Sequence, residues 1–197
     1  MGVIAESYSV GEVGGYNGVG GLVGRNSGSV ATSWSAGAVT GDWHVGGIVG
    51  QNGDVSDADD DVLAVLRNCY NTGPVTGGKR VGGVVGTNVG HISTTYSTGS
   101  VSGNVDVGGL VGPGGIQVVS KTVFGDATAS FWDIQTSGQT TSAGGTGKTT
   151  AEMQVARTFL EAGWDFIDET ANGTDDIWWI LEGQGYPRLW WELIPEN

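Results

Sequence analysis

The sequence predicts an all-β fold: a parallel β-helix (β-solenoid) of about 26-residue rungs with a small mixed C-terminal cap containing one short helix. The first observation behind this is a motif. Val19-Gly-Gly-Leu-Val-Gly24 recurs as Val45-Gly-Gly-Ile-Val-Gly50, Val81-Gly-Gly-Val-Val-Gly86 and Val107-Gly-Gly-Leu-Val-Gly112, at spacings of 26, 36 and 26 residues. The second is an aromatic landmark, Tyr8, Trp34, Tyr70 and Tyr96, that keeps the same spacings. Two markers sharing one irregularity define a 26-residue unit with ten extra residues in one copy, between Asn52 and Cys69. The third is composition: 38 of 197 residues are glycine, against a usual share of about 7%. Glycine in fixed phase signals recurrent turns, whereas glycine without period signals disorder.

A unit this short, rich in Val, Ser, Thr and Gly, cannot bury an apolar face alone, but stacked copies can. Each unit holds three β-prone pieces broken by glycine, in the first full copy 19–24, 29–35 and 38–40. Pairing each piece with its equivalent one copy away gives rungs about 4.8 Å apart, and four to five of them make a rod of roughly 20–25 Å. The valine columns Val19, Val45, Val81, Val107 and Val23, Val49, Val85, Val111 are then core positions, with Val39, Val75 and Val101 a third and Val13 in the partial first rung. Gly37, Gly73 and Gly99, and Gly41, Gly77 and Gly103, recur where the chain must turn and are expected at positive φ. Asn26, Asn52 and Asn88 form an amide column that can hydrogen-bond along the stack. It should stop there, because the fourth copy reads Gly112-Pro-Gly114.

The phased pattern Gly-Gly-Leu-Val-Gly-x-Asn, then Gly-x-Val/Ile, an aromatic before Ser/Asn-x-Gly, and Val-x-Gly, over about residues 4–112, resembles the GLUG-motif repeat family of bacterial surface and adhesin-like proteins. The aromatic stretch from Phe131-Trp-Asp133 through Trp164-Asp-Phe166 to Tyr186-Pro-Arg-Leu-Trp190 is similar to the ending often found after such arrays. The resemblance implies export, an extracellular or cell-surface location, and a scaffold with no catalytic residues. The acidic insertion and the truncated first copy depart from the pattern.

The chain divides into repeats over 1–115, with the insertion at 53–67, and a C-terminal capping segment over 116–197. After Gly115 the phase fades, although Phe131 and Trp132 echo the aromatic landmark. Residues 135–147 are Ser/Thr/Gly-rich and read as a loop. Thr149-Thr-Ala-Glu152 forms a capping box that opens a helix over about 150–162, stopped by Gly163. Met153, Ala156, Phe159 and Leu160 share the face expected to lie on the last rung. Residues 177–181 and 186–191 are expected strands, and the segment should cover the open end of the stack.

Asp and Glu number 21 against 8 Lys and Arg, a formal charge of −13. Such a surface repels phosphate backbones and anionic headgroups, so neither nucleic acid nor a membrane is an expected partner. No apolar run reaches the ~20 residues of a membrane span. Residues 1–6 lack the basic start and apolar core of a signal peptide, so the chain is either cytosolic or part of a longer exported protein.

The acidic insertion supplies Asp54, Asp57, Asp59, Asp60 and Asp61 as candidate calcium ligands, because Ca²⁺ takes six to eight oxygens. The EF-hand pattern is absent, and a solvated charge run is the commoner meaning of such a stretch. Calcium binding predicts a melting temperature that rises at millimolar calcium; an unchanged melting curve rules it out. Gly144-Gly-Thr-Gly-Lys-Thr149 resembles a nucleotide-binding loop, but Ser142 stands where the first glycine is required. Cys69 replaces Ser7, Ser33 and Thr95 in its column, and His44 shares one with Gly18, Arg80 and Asp106, so both read as positions in a stack. Nothing marks Asp106 or Asp133 as glycosidase carboxylates.

Trp164, Trp178, Trp179, Trp190 and Trp191 crowd the last 34 residues. Adjacent tryptophans in a strand face opposite ways, so one of each pair is core and the other is available to a sugar ring or a protein. Trp179 and Trp190 are the candidate ligand positions, against the alternative that all five fill the cap. The functional expectation is a non-enzymatic, structural or adhesin-like module of an exported protein. The alternatives are a carbohydrate-binding or polysaccharide-processing β-helix and a self-assembling filament subunit. Expected partners are neighbouring domains or identical subunits at the open N-terminal rung, and glycans.

Overall fold

The computed structural model describes residues 2–54, 64–118 and 121–193. They form an all-β protein of mainly parallel sheets with a few short helices. Sheet I takes strands in the order Val3–Ala5 with Tyr8–Ser9, Ser29–Ser35, Val65–Asn71, His91–Ser93 with Tyr96–Ser97, Asp126–Thr128 with Phe131–Asp133, and finally Thr146–Lys148. Sheet II is built from Val13–Gly14 with Asn17–Gly20, Val39–Gly46, Val75–Gly82 and Val101–Gly108. Sheet III is built from Val23–Asn26, Val49–Asn52 and Val85–Asn88, with Val111 bridged to Val85.

Every pairing within these three sheets is parallel, and all except that of the terminal strand Thr146–Lys148 join equivalent positions of consecutive copies. Val39 pairs with Val75 and Val75 with Val101; Val45 pairs with Val81 and Val81 with Val107. Parallel strands need a crossover of about a dozen residues or more, and here the rest of each copy supplies it. Asn26 pairs with Asn52 and Ser29 with Val65, so the ten extra residues of the second copy fall between Asn52 and Val65. Residues 65–67, expected within the insertion, belong instead to the strand on Ser29–Ser35.

Sheet I also outruns the repeat visible in the sequence. Phe131 pairs with Tyr96 and Asp126 with His91, so residues 126–133 contribute a fifth set of strands. The intervening residues include an antiparallel pair, Ile116–Val118 with Lys121–Val123. That detour stretches the aromatic spacing to 35 and hides the phase.

Two apolar clusters lie beneath the sheets. Sheets I and III share Val30, Ile48, Leu66, Val84, Ile92 and Leu110, with Trp132 at the far end, its Nε1 donating to Gln139 O at 2.9 Å. The valines of sheet II form the other, with Val45, Val75 and Val81 at most 1% exposed. The amide ladder forms as expected. Asn26 Nδ2 donates to Asn52 Oδ1 and Asn52 Nδ2 to Asn88 Oδ1, both at 2.8 Å. Asn88 Nδ2 then finds Asp126 O at 2.8 Å, which ends the ladder on a backbone carbonyl.

The glycines required a correction. Gly37, Gly73, Gly99, Gly41, Gly77 and Gly103 do not have positive φ. A Cβ at Gly37, Gly73 or Gly99 would overlap the carbonyl oxygen of Gly11, Gly37 or Gly73 in the copy before. One at Gly41, Gly77 or Gly103 would lie within 3 Å of a core valine methyl. These positions are glycine for want of space. The left-handed corners fall to Glu6, Thr32, Asn68, Thr94 and Ala129 in one column, and to Gly18, His44, Arg80 and Asp106 in another.

The first corner column carries its own compensation. The next residue bonds back across it: Ser7 Oγ to Ala5 O at 2.8 Å, Ser33 Oγ to Ala31 O at 2.6 Å, Thr95 Oγ1 to Ser93 O and Ser130 Oγ to Thr128 O, both at 2.8 Å. Cys69 Sγ occupies the same place, donating to Arg67 O at 3.1 Å. A short side chain that donates to a carbonyl two residues back fixes a turn the backbone would otherwise resist.

The C-terminal residues are placed differently from expectation. The single helix over 150–162 is two, α2 (Thr150–Met153) and α3 (Ala156–Leu160), because Val155 is extended at φ −122° and ψ 123°. Another, α1 (Ile134–Ser137), precedes them within the expected loop, N-capped by Asp133. Of residues 186–191 only Arg188–Leu189 is strand, antiparallel to Trp178–Trp179, and Trp190–Leu193 is a 3-10 turn. Met153, Phe159, Trp164, Phe166, Trp178 and Leu189 pack on Tyr70, Tyr96 and Phe131 of sheet I, so this part covers the flank of the stack. The end is met by the preceding stretch: Gly109 N donates to Thr141 O, Ala143 N to Val111 O, and Thr146–Lys148 pairs with Phe131–Asp133. Among the described residues no helix is long and apolar enough to cross a membrane.

Candidate functional site

The aromatic landmark becomes a stack on the outer face of sheet I. Tyr8 and Trp34 lie 4.9 Å apart centre to centre, Trp34 and Tyr70 5.9 Å, and Tyr70 and Tyr96 5.0 Å, all within 13° of parallel. Parallel pairing places equivalent residues one strand spacing apart, which is also the spacing of offset-stacked rings. The C-terminal segment runs back along this column, donating Trp164 Nε1 to Ala129 O at 2.7 Å and Trp191 Nε1 to Thr32 O at 3.0 Å. In the other direction Tyr96 Oη donates to Pro187 O at 2.6 Å and Tyr70 Oη to Glu192 Oε2 at 2.8 Å. Burial beside that carboxylate pushes the Tyr70 phenol far above its ordinary range.

Where the segment arches over Tyr70 and Tyr96 it leaves a cavity of about 370 Å³. Its wall includes Thr72, Gln154, Trp179, Leu181, Gln184, Tyr186 and Arg188. Trp179 is half-buried and Trp178 fully buried, the opposite-face arrangement expected of adjacent strand residues. The Trp179 indole is fixed by donation to Leu189 O at 3.1 Å, and Arg188 Nη1 meets Glu192 Oε2 at 3.1 Å. Tyr186 Oη donates to Asp133 Oδ2 at 2.8 Å, and burial next to that carboxylate raises its pKa to about 12. Asp133 is fully buried and also receives Gln135 N, Thr136 N and the Thr150 hydroxyl. It is a structural hub.

Trp190 sits apart from Trp179. It lines a shallow hollow with Ile167, Asp175, Asp176 and Leu193, and both it and Trp191 are half-buried, so the one-in, one-out expectation fails for this pair. The cause is the 3-10 turn, which replaces the alternation of a strand. Of the acidic candidates, Asp57, Asp59, Asp60 and Asp61 lie outside the described residues. Asp54 faces Arg25 at 3.8 Å across an exposed pair.

The residues of reactive type have structural partners. His44 Nδ1 lies 2.7 Å from Thr87 Oγ1, and burial, then Arg80 and Arg25, lowers its pKa. His91 pairs with Asp126 at 2.9 Å on the surface. In the loop resembling a phosphate cradle, residues 146–148 are strand, and Thr149 N is taken by Glu152 Oε2 at 2.8 Å in the expected capping box. Burial pushes the Cys69 thiol up to about 12.

Cys69 Sγ also lies 3.9 Å from Val30 O in the copy before. Cys69→Ser keeps a donor and an acceptor, so we expect melting within a few degrees of the parent. Cys69→Val removes the donor to Arg67 C=O and is expected to cost about 1–3 kcal/mol in chemical denaturation. Equal stability of the two variants would refute the corner role. No family model, curated protein or solved structure matches the chain.

Proposed function

We propose that this chain is a parallel β-solenoid module of an exported bacterial surface protein, a non-enzymatic scaffold of adhesin-like type. The observation that carries the reading is the pairing of equivalent residues through successive copies in three parallel sheets, as in Val39, Val75 and Val101. A chain that adds one copy per strand spacing gains length without a new core, which suits a spacer or display element. The GLUG-like phased motif supports export, and a charge of −13 favours solubility over adhesion to anionic membranes. Arrays of this kind offer a free strand edge to a neighbouring domain or another copy, and Val3–Ala5 pairs with Ser29–Ser35 on one side.

The test is surface labelling in the organism that carries the gene. An antibody raised against this chain should stain intact cells, and external protease should remove the signal. Staining that appears only after permeabilisation would overturn the reading.

A further inference from the structure

The cavity beside Trp179 has features the scaffold reading does not need. Its floor and one wall are aromatic, from Tyr70, Tyr96, Trp179 and Tyr186. The two phenols beneath are buried with their hydroxyls committed, so they fix the floor, and the accessible ring area comes from the half-buried Trp179 and Tyr186. Gln154 and Gln184 line the same space, and among the described residues neither side-chain amide has a hydrogen-bond partner. Aromatic side chains and uncommitted amides lining one cavity are a recognition pattern: apolar area for binding energy, and a few polar groups for orientation.

We propose that this cavity binds one or two rings of an uncharged saccharide. The CH-bearing face of a pyranose stacks on the Trp179 indole, and its equatorial hydroxyls reach Gln154 and Gln184. Size agrees, because small-ligand sites occupy about 300–1,000 Å³ and this one holds about 370 Å³. Charge argues for a neutral sugar. Arg188, the cation on the wall, is matched by Glu192 at 3.1 Å, and the chain as a whole is strongly acidic. An anionic ring therefore finds no free positive charge and a repulsive field. The same geometry divides the two candidate tryptophans: Trp179 takes the sugar, and Trp190, in its separate hollow, does not. This gives the adhesin-like reading a ligand class and rests on that reading for its biological setting.

The test is ligand-observed NMR and calorimetry on the whole chain with glucose, galactose, mannose, N-acetylglucosamine, lactose and cellobiose, with glucuronate and adenosine as comparisons. At least one neutral saccharide should bind saturably in the millimolar range. Trp179→Ala should weaken that binding by about tenfold or more, equivalent to about 1.4 kcal/mol. Trp179→Phe, which keeps a ring, should retain part of it, Gln184→Ala should lose several-fold, and Trp190→Ala should match the parent. If Trp179→Ala fails to fold by circular dichroism, Gln184→Ala and Trp179→Phe carry the decision. No saturable saccharide binding, preference for glucuronate or adenosine, or binding by the Gln184 and Trp179 variants as tight as the parent's would overturn the proposal. Those failures leave cell-surface staining untouched, and failed staining leaves the sugar titrations untouched, so the two readings fail separately.

Discussion

Asn52→Ala is expected to lower unfolding stability by about 2–3 kcal/mol, read from urea denaturation followed by far-UV circular dichroism. Asn52 is the middle of three stacked amides and is fully buried. It accepts from Asn26 below and donates to Asn88 above. Its removal orphans a donor on one side and an acceptor on the other, in a place water does not reach. The loss is partly offset, because Asn26 Nδ2 also reaches Val65 O at 3.2 Å and Asn88 Oδ1 also accepts Gly90 N at 3.1 Å. Asn52→Asp is a sharper probe. It can still accept from Asn26 but turns an oxygen toward Asn88 Oδ1, so it should be worse than alanine near neutral pH. A change below about 0.5 kcal/mol for Asn52→Ala would mean that the ladder contributes register and little stability.

Trp164→Ala is expected to cost more, about 3–5 kcal/mol for the truncation of a buried tryptophan. The ring is fully buried among Tyr96, Phe131, Phe159 and Trp178, with its centroid 4.5 Å from that of Trp178. Its Nε1 also satisfies the carbonyl of Ala129, a corner residue held at φ 46°. Trp164→Phe should recover most of the packing but none of that hydrogen bond, leaving a deficit of about 1–2 kcal/mol. Hydrogen exchange locates the damage. Protection should fall first across 149–193 and persist in the valine ladder of sheet II, because local openings follow packed units. Uniform loss of protection would show that flank and ladder unfold as one.

Features repeated in phase were legible in the sequence, and features built from unlike residues were not. The stacked rings and the amide column were legible because each residue type returns at the same place in successive copies. The left-handed corners were not, because Glu6, Thr32, Asn68 and Thr94 share only a backbone angle. The signal that marks them sits one residue later, in the short donor column of Ser7, Ser33, Cys69, Thr95 and Ser130. Glycine was misleading in the opposite sense: Gly37 and Gly41 repeat strictly, yet for closeness to neighbouring atoms and not for their φ. The fifth set of strands was hidden because the detour before Asp126 moved Phe131 out of phase. Trp179 was legible from strand alternation, but its cavity was not. Thr72, Gln154 and Gln184 come from three distant pieces of chain that no pattern links.

The backward course of the C-terminal segment bears on cooperativity. An array in which each copy touches only its neighbours behaves as a one-dimensional chain of coupled units, and such chains fray from their ends. Here Trp164 is bonded at Ala129, Pro187 at Tyr96, Glu192 at Tyr70 and Trp191 at Thr32. A single strap therefore spans four copies, and its last contact joins residues 159 apart in sequence. Opening the copy that carries Thr32 means releasing a contact made by the far end of the chain. Nearest-neighbour coupling is thereby supplemented by a long-range term that penalises fraying of the copies the strap touches, for as long as the strap itself stays docked.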